Sequence, residues 1–271
     1  MLKYKDDFVE VWNNDSRDLS FIKDKSVHLV ITSPPYNVRM NYSAYNDALE
    51  LDEYYNLLRE VFSECYRVLV PGGRIAVNCP SCCRQTTVSK NAFVAVNIHN
   101  ILKEIGFLPR EWVGWVKVPP IENETEYKDI HRHQRWGKST SWGSWCSPSD
   151  SYLRDVMEYI IVMYKEQSNL EGDKNKIDIT RDEFLMYSNN CWFILPTTEN
   201  KSGHPAAFPE ELAYRLMKFY TYQENVILDP FAGSGTVGVV AKRFKRKAIL
   251  VEIDSGYCDL IKQKVSQEYL F

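Results

Sequence analysis

The chain has 271 residues, 44% of them hydrophobic and 25% charged, which is enough apolar material for one large domain with a single core. Its first ten residues are charged where a secretory signal would be apolar, and no run approaches the roughly 18 apolar residues of a membrane span, so we expect a soluble, cytoplasmic protein without a membrane partner. The net charge of −3 excludes no nucleic-acid partner, because binding to a polyanion depends on a local basic face.

The seven cysteines are an odd number and are scattered along the chain, which favours reduced thiols over a disulfide framework. Only Cys79, Cys82 and Cys83 cluster. They lack the further ligands at similar spacing that a structural zinc site needs, so we predict no metal site.

Apolar, β-rich runs alternate with amphipathic helical patterns along most of the chain. Strands are predicted over 8–12, 27–32, 74–78, 111–118, 158–164, 225–229 and 248–254. Helices are predicted over 51–69, 208–220 and 255–265, with a further one after the glycine-rich turn near 233. This alternation predicts an α/β fold in which helices cover a mostly parallel sheet.

Two long polar segments, 119–150 and 166–203, interrupt the alternation. We predict a single domain over 1–271 in which these segments are inserted recognition loops. The run KDIHRHQRWGK (128–138) has a net formal charge of +3 with interleaved aromatic rings. It makes Arg132, Arg135, Trp136 and Lys138 candidate nucleic-acid contacts. A second basic run, KRFKRK (242–247), lies late in a predicted helix that leads into a strand, where a solvated helix end is the ordinary explanation.

The segment LDPFAGSGTVGVVAKRF (228–244) is a strand that ends in Asp229 and passes through a glycine-rich turn into a helix. Glycines in such a turn let backbone N–H groups approach a ligand at the start of the helix. The segment is not a Walker A loop, since it lacks the Gly-Lys-Ser/Thr ending. The next predicted strand ends in Glu252, whose carboxylate can accept two ribose hydroxyls, so the pattern predicts a nucleoside ligand. We expect both carboxylates at exposed strand ends, where they can be replaced without unfolding the protein.

The stretch ITSPPYN (31–37) ends a predicted strand with two consecutive prolines. Proline fixes φ and has no N–H, so Ser33-Pro-Pro-Tyr36 is a stiff turn. Taken alone, it would be an ordinary proline-capped strand end.

Together, Asp229-Pro-Phe-Ala-Gly-Ser-Gly-Thr236 and Ser33-Pro-Pro-Tyr36 resemble the amino-methylating DNA methyltransferases, which use S-adenosylmethionine. The resemblance covers nearly the whole chain. His204-Pro-Ala-Ala-Phe-Pro209 resembles the segment before the cofactor loop of that family, and Asn14-Asp15 its acidic turn beside the adenine ring. A catalytic turn early and a cofactor loop late is similar to the circularly permuted β class. The resemblance implies a Rossmann-like, seven-stranded, mostly parallel sheet with one reversed strand.

The same resemblance implies roles for individual residues. Cofactor contacts are expected from Asp15, His204, Phe208, Asp229, Phe231, Ala232, Gly233, Gly235, Thr236 and Glu252. The catalytic residues that the resemblance implies are Ser33, Pro34, Pro35 and Tyr36. The Ser33 oxygen and the Pro34 carbonyl are expected to hold the target amine, while the Tyr36 ring stacks on a flipped base, so that Tyr36→Phe is tolerated. Double-stranded DNA is the expected partner of a monomer or homodimer, and a cognate restriction endonuclease is a further candidate.

Serine at the first position of the turn favours cytosine N4 as the target, because family members that modify adenine usually have Asp or Asn there. Adenine N6 is the alternative. A nucleoside-binding regulatory module without catalysis is less expected, because the turn is intact. Relatives that methylate RNA or protein glutamine generally place the turn after the cofactor loop and begin it with Asn.

Overall fold

A computed structural model of the chain describes residues 1–38, 44–81, 93–117, 147–149, 151, 156–197 and 208–267. Its strands are β1 (Leu2–Lys5), β2 (Val9–Asn13), β3 (Val27–Thr32), β4 (Leu69–Pro80), β5 (Leu108–Val116), β6 (Met157–Tyr164), β7 (Cys191–Phe193), β8 (Val226–Asp229) and β9 (Lys247–Glu252). Its helices are α1 (Leu51–Val68), α2 (Val94–Ile105), α3 (Arg181–Tyr187), α4 (Glu210–Tyr220), α5 (Thr236–Arg243) and α6 (Ser255–Ser266).

The described strands form one sheet in the order β1-β2-β9-β8-β3-β4-β6-β5-β7. The strands from β2 to β4 in this order are all parallel, whereas β6 runs antiparallel to both β4 and β5. The predicted α/β fold is confirmed, and all seven predicted strands are present. The sheet has nine strands rather than seven because β1 and β7 add to its two edges. Those strands are four and three residues long, too short to give a recognisable alternating pattern.

Helices cover both faces of the sheet, as the alternation of side chains along each strand requires. On one face, α1 packs its buried residues Tyr54, Leu58, Val61, Phe62, Cys65 and Val68, which recur at helical spacing, together with α2. On the other face, α4, α5 and α6 pack against the opposite side chains of the same strands. The turn Ser33–Tyr36 follows β3 and the glycine-rich loop follows the neighbouring strand β8, so the fold brings the two sequence motifs side by side.

The segment 166–203 is integrated into the fold wherever the structure describes it. It contains a short 3-10 turn (Lys174–Lys176), then α3 and β7, and β7 pairs with β5. Trp192 of β7 is buried, and Asp178 makes a bidentate ion pair with the fully buried Arg246. A role of the segment 166–203 in DNA recognition stays a prediction. For the segment 119–150, only residues 147–149 are described, so that prediction lies largely outside the described residues.

Three of the five basic side chains in the run 242–247 form ion pairs within the fold. Lys242 Nζ lies 2.5 Å from Asp6 Oδ2, and Arg243 Nη1 lies 2.7 Å from Glu210 Oε2. Arg246 is the partner of Asp178. The expectation of a solvated helix end is wrong for Arg246, which is fully buried because it pairs with Asp178 beneath the surface.

No helix in the described part of the chain combines the length and apolarity of a membrane span. Likewise, within the described ranges no three His, Cys, Asp or Glu side chains are arranged to hold a metal ion. Cys79 is buried in β4, and Cys82 and Cys83 lie outside the described residues.

Candidate active site

A cavity of about 560 Å³ opens at the edge of the sheet where the parallel strands end. Ligand sites in open α/β sheets are found at this edge, and cavities of this volume accommodate small-molecule ligands. Its walls come from the segments after β2, β3, β8 and β9 and from one face of α1. The predicted site residues that line it are Asp15, Ser33, Pro35, Phe231, Gly233 and Glu252.

The glycine-rich loop between β8 and α5 needs glycine for two reasons. Gly233 and Gly235 have φ angles of 51° and 81°, in the left-handed region that side chains disfavour. At Gly235 an added Cβ would also lie 2.9 Å from Ile261. The tight turn brings the Gly233 N–H to the cavity wall, where it donates a 2.8 Å hydrogen bond to Glu252 Oε2.

Glu252 ends β9 and is buried against this loop. Its second oxygen, Oε1, accepts a 2.9 Å hydrogen bond from the backbone N–H of Asp254. Burial raises the pKa of its carboxyl group above the ordinary value. Because β2 pairs with β9 in parallel, with Asn13 opposite Glu252, the turn that carries Asp15 lies beside it. Asp15 pairs there with Arg17, which lowers the pKa of the aspartate.

Asp229 lies behind the glycine-rich loop and does not line the cavity. Its Oδ1 accepts hydrogen bonds from Thr32 Oγ1 at 2.8 Å and from the Phe231 N–H at 3.1 Å. Burial raises its pKa to about 7. The expectation that Asp229 and Glu252 lie at exposed strand ends is wrong. They are only 2% and 8% exposed, because the loops after β8 and β9 fold back over the strand ends.

These residues fit S-adenosylmethionine chemically. Neither Asp229 nor Glu252 has a cationic partner among the ion pairs of the described residues. Buried carboxylates without a counter-ion favour a ligand that brings positive charge or hydroxyl donors. A sulfonium nucleoside with an ammonium group and a ribose supplies both. The Phe231 ring on the same wall adds an apolar surface for a base.

The turn from Ser33 to Tyr36 is held in place by hydrogen bonds from residues outside it. Tyr54 of α1 donates a 2.9 Å hydrogen bond to the Pro35 carbonyl. Just after the turn, Asn37 has a φ of 57° and donates its backbone N–H to Asp47 Oδ1 at 2.8 Å. The prolines stiffen the turn and these contacts fix its position relative to the cavity.

Behind the turn lies a cluster of polar side chains centred on the Tyr36 hydroxyl. The Tyr36 Oη lies 2.9 Å from Ser33 Oγ, 2.9 Å from Asn78 Nδ2 and 3.1 Å from Glu158 Oε2. Asn78 Nδ2 also donates to Glu158 Oε2 at 2.7 Å, and Lys117 Nζ forms an ion pair with Glu158 Oε1. We call Ser33, Tyr36, Asn78, Glu158 and Lys117 the turn network.

The direction of the hydrogen bonds in the turn network follows from the chemistry of its members. An ionised carboxylate only accepts, so Tyr36 gives its single hydroxyl proton to Glu158. Ser33 must then donate to Tyr36, because the tyrosine oxygen has no second proton to give. Among the described residues, the other hydrogen-bond contacts of Ser33 Oγ are two at 3.4 Å with Asn78. A lone pair of Ser33 Oγ is thus left for a ligand in the cavity that Ser33 lines.

With this geometry established, comparison with known proteins gives the family. The chain matches the N6/N4 DNA methylase family model over residues 27–263. It is a member of the N6/N4 DNA methylases. M.BglII, a Type II methyltransferase from Bacillus subtilis, is 27% identical over 96% of this chain and 69% of its own length.

Solved structures agree on the fold of this N6/N4 DNA methylase. TTHA0409 from Thermus thermophilus, complexed with S-adenosyl-L-methionine, has a TM-score of 0.69 and 23% identity over 94% of each chain. The cytosine-N4-specific PvuII DNA methyltransferase has a TM-score of 0.69 and 19% identity over 97% of this chain and 88% of its own. The fold is that of the S-adenosylmethionine-dependent DNA methyltransferases.

Several predicted site residues of the methylase do not line the cavity. Phe208 is buried in the core on the α4 side of the sheet, and Pro34 is buried within the turn. Ala232, Gly235 and Thr236 shape the loop and the start of α5 without lining the cavity. The residues outside the described ranges are His204, Arg132, Arg135, Trp136 and Lys138.

Sequence reasoning missed Asn78, Glu158 and Lys117. Asn78 is a polar residue near the carboxyl end of the otherwise apolar β4, next to β3, and that position was a usable signal. Glu158 begins β6, and only the antiparallel direction of β6 brings its first residues to the same edge of the sheet. Strand direction is not visible in a hydrophobic pattern, so this placement required the structure.

Proposed function

We propose that this N6/N4 DNA methylase transfers a methyl group from S-adenosylmethionine to the exocyclic N4 amine of a flipped cytosine in duplex DNA. The observation that carries the proposal is the Ser33 hydroxyl, which directs an acceptor lone pair into the cavity that also contains the glycine-rich loop. An amine conjugated to a base ring is a poor nucleophile. An acceptor that holds the amine so that its lone pair localises favours the transition state over the ground state.

The cofactor supplies an electrophilic methyl group on a sulfonium centre. We infer that Glu252 binds the ribose hydroxyls, that Asp15 lies beside the adenine and that Asp229 contributes negative charge near the sulfonium or ammonium group. Phe231, Ala232, Gly233, Gly235 and Thr236 would shape this part of the site, with His204 and Phe208 on the segment before it. Support comes from the burial of the two carboxylates beside a cavity of suitable size.

In this proposal Tyr36 and the Pro34 carbonyl also contact the target base. A flipped base costs a few kcal/mol of lost stacking and pairing, and an aromatic face returns about 1–3 kcal/mol of that. Tyr36 does not line the cavity, so we propose this stacking for the exposed part of its partly buried side chain.

Adenine N6 is the second candidate target, since the family includes enzymes that modify either amine. The serine at position 33, rather than Asp or Asn, is what favours cytosine. A nucleoside-binding module that has lost catalysis is a weaker candidate, because the turn network keeps Ser33 oriented for an incoming amine.

We further propose that Arg132, Arg135, Trp136 and Lys138 contact the DNA, within recognition insertions at 119–150 and 166–203 of a single domain. The Type II naming of the relative M.BglII supports a restriction-modification setting with a cognate endonuclease. The working assembly would be a monomer or homodimer in the compartment that holds the DNA.

The test is to identify the methylated nucleoside. DNA methylated by the purified protein is hydrolysed and analysed by mass spectrometry, with S-adenosylmethionine binding measured in parallel by calorimetry. We expect N4-methyldeoxycytidine. N6-methyldeoxyadenosine alone would replace cytosine by adenine as the target. Carbon-5 methylcytosine would overturn the mechanism, and cofactor binding without any methylation of diverse DNA would favour the inactive module.

A further inference from the structure

The turn network raises a question that the proposed function leaves open: where the proton of the target amine goes. An amine that takes a methyl group must lose one proton to become a neutral methylamine. Ser33 is the residue placed to accept a hydrogen bond from that amine, yet a neutral hydroxyl is too weak a base to keep the proton. Within the described residues, the carboxylate joined to Ser33 through hydrogen bonds is Glu158, reached through Tyr36.

We propose that Glu158 is the proton acceptor of the reaction and that Ser33 and Tyr36 relay the proton to it. This inference rests on the proposed methylation of an exocyclic amine, but it holds equally for cytosine and adenine. As the nitrogen–methyl bond forms, one N–H bond of the amine breaks and its proton moves to Ser33 Oγ. The Ser33 proton moves to Tyr36 Oη, and the Tyr36 proton to Glu158 Oε2. Glu158 ends as a neutral carboxylic acid, both hydroxyls are restored, and Glu158 later releases its proton to solvent.

The geometry supports each transfer within the protein. The two protein steps span 2.9 Å and 3.1 Å, both hydrogen-bond distances. Both hydrogen bonds already point from Ser33 towards Glu158, so no side chain has to turn before the proton moves. Asn78 Nδ2 donates to both Tyr36 Oη and Glu158 Oε2, and these two hydrogen bonds fix the positions of the two oxygen atoms relative to each other.

The charges around Glu158 and Tyr36 are consistent with the state that the relay requires before the reaction. Lys117 forms an ion pair with Glu158, so a cation lies beside the carboxylate that receives the proton. Burial and the nearby Glu158 charge raise the pKa of Tyr36 well above its ordinary value. The tyrosine hydroxyl therefore stays protonated and can pass a proton on without first being ionised. A methylated base ammonium is strongly acidic, so a carboxylate is basic enough to take its proton.

The structure also contains an unusual feature at the centre of this network. Asn78 is buried, and its Oδ1 has no hydrogen-bond partner in the described part of the chain. The orientation of the Asn78 amide lets Nδ2 donate hydrogen bonds to Tyr36 and Glu158 but leaves Oδ1 without a donor among the described residues. Unsatisfied buried polar atoms are uncommon in native proteins, and a catalytic role is one of the explanations for them.

The inference changes the expected effect of Tyr36→Phe. A role limited to stacking predicts that phenylalanine is tolerated, whereas the relay requires the hydroxyl. We expect Tyr36→Phe and Glu158→Gln each to lower the single-turnover methylation rate by roughly 100-fold or more, the usual range for loss of proton transfer. The double variant should be no slower than the slower single variant, because both changes interrupt one relay. Affinities for S-adenosylmethionine and DNA should change by less than about threefold.

A matched control is available in the same protein. Tyr220 Oη donates a 2.5 Å hydrogen bond to Glu111 Oε1, another tyrosine–glutamate pair. Glu111 pairs with Val162, four residues and thus about 13 Å along β6 from Glu158. Tyr220→Phe and Glu111→Gln should leave the single-turnover rate within twofold of wild type.

Two further measurements separate proton transfer from a structural role. Glu158→Asp keeps a carboxylate and should restore part of the rate that Glu158→Gln loses. Infrared difference spectra over one turnover should show a new protonated-carboxyl band in the wild type that Glu158→Gln lacks.

The relay is overturned if Tyr36→Phe retains the wild-type rate, if the carboxyl band is absent in the wild type, or if Glu158→Gln loses rate only in proportion to weakened cofactor or DNA binding. If Glu158→Gln does not fold, Tyr36→Phe and the wild-type spectrum still decide. Failure of the proposed function is a different result, in which the wild type methylates no base amine.

Discussion

Thr32 Oγ1 donates a 2.8 Å hydrogen bond to Asp229 Oδ1 and so joins β3, which precedes the turn Ser33–Tyr36, to β8, which precedes the glycine-rich loop. The bond is buried, and burial raises the pKa of Asp229 to about 7. The folded protein therefore binds this proton more tightly than the unfolded chain does. The resulting stabilisation is fully present below about pH 4, where both states are protonated, and is lost as pH rises through about 7.

The first prediction concerns this pH dependence. In wild type, Asp229 should lower the free energy of unfolding by roughly 2–4 kcal/mol between pH 4 and pH 7. Asp229→Asn keeps an oxygen acceptor but cannot ionise, so this decline should become shallower and the variant should be more stable than wild type at pH 8. Urea denaturation across this pH range measures it. The exposed Asp7→Asn should follow wild type. A variant with an unaltered slope would show that Asp229 ionises normally in the folded state.

The second prediction concerns cofactor binding at Glu252. Glu252→Ala should weaken binding of S-adenosylmethionine by at least about tenfold, since one charge-assisted hydrogen bond contributes about 1.5–3 kcal/mol. Calorimetry measures the affinity. Asp259→Asn on the exposed side of α6 is the control and should bind normally. Equal affinities for Glu252→Ala and wild type would remove the ribose-binding role, and no binding by wild type at millimolar cofactor would remove the nucleoside assignment.

The fold could be predicted from the sequence further than the site could. The spacing of hydrophobic residues correctly predicted a strand over 27–32 and a helix over 51–69, because this spacing depends only on the local sequence. The edge strand β7 was missed because a three-residue strand carries no period. Helix α3 was missed because it has only seven residues and is held by its Thr180 capping box and by contacts of Glu183 with Tyr214 and Lys218. The turn network was missed for another reason. Ser33, Asn78 and Glu158 lie on three strands whose adjacency and direction only the folded sheet establishes.

The third prediction tests how firmly the segment 166–203 is attached to the core. Asp178→Ala should lower the free energy of unfolding by about 3–5 kcal/mol, because it leaves the fully buried Arg246 without its carboxylate. In the same region, Lys176 and Glu224 form an exposed ion pair, and Glu224→Ala should cost less than about 1 kcal/mol. Urea midpoints compare the two. Similar losses for both variants would show that the Asp178 pair is no more stabilising than a surface pair.

The fourth prediction concerns DNA binding by the basic run 128–138. Replacing Arg132 and Arg135 with Ala should reduce the slope of log affinity against log salt by about one for each phosphate that the protein no longer neutralises. Lys245 and Lys247 are exposed lysines of the other basic run, so their double replacement with Ala is a charge-matched control that should leave the slope unchanged. Fluorescence anisotropy at several salt concentrations gives the slopes. If the slope of the arginine variant equals that of wild type, recognition belongs elsewhere, with 166–203 the next segment to test.

The last prediction separates holding the target amine from binding the cofactor. Ser33→Ala removes the oxygen that we propose receives the amine and also the hydroxyl that hydrogen-bonds to Tyr36. The pyramidal amine forms only on the way to the transition state, so the loss should fall on the single-turnover rate, by roughly 100-fold or more, and leave S-adenosylmethionine affinity within about threefold. Ser63→Ala, on the exposed face of α1, controls for loss of a serine hydroxyl alone. Rapid-quench methylation and calorimetry on the same preparations give both quantities. A normal rate in Ser33→Ala would assign the amine to the Pro34 carbonyl alone, whereas parallel losses of rate and cofactor affinity would mean that Ser33 shapes the cofactor site and does not hold the base.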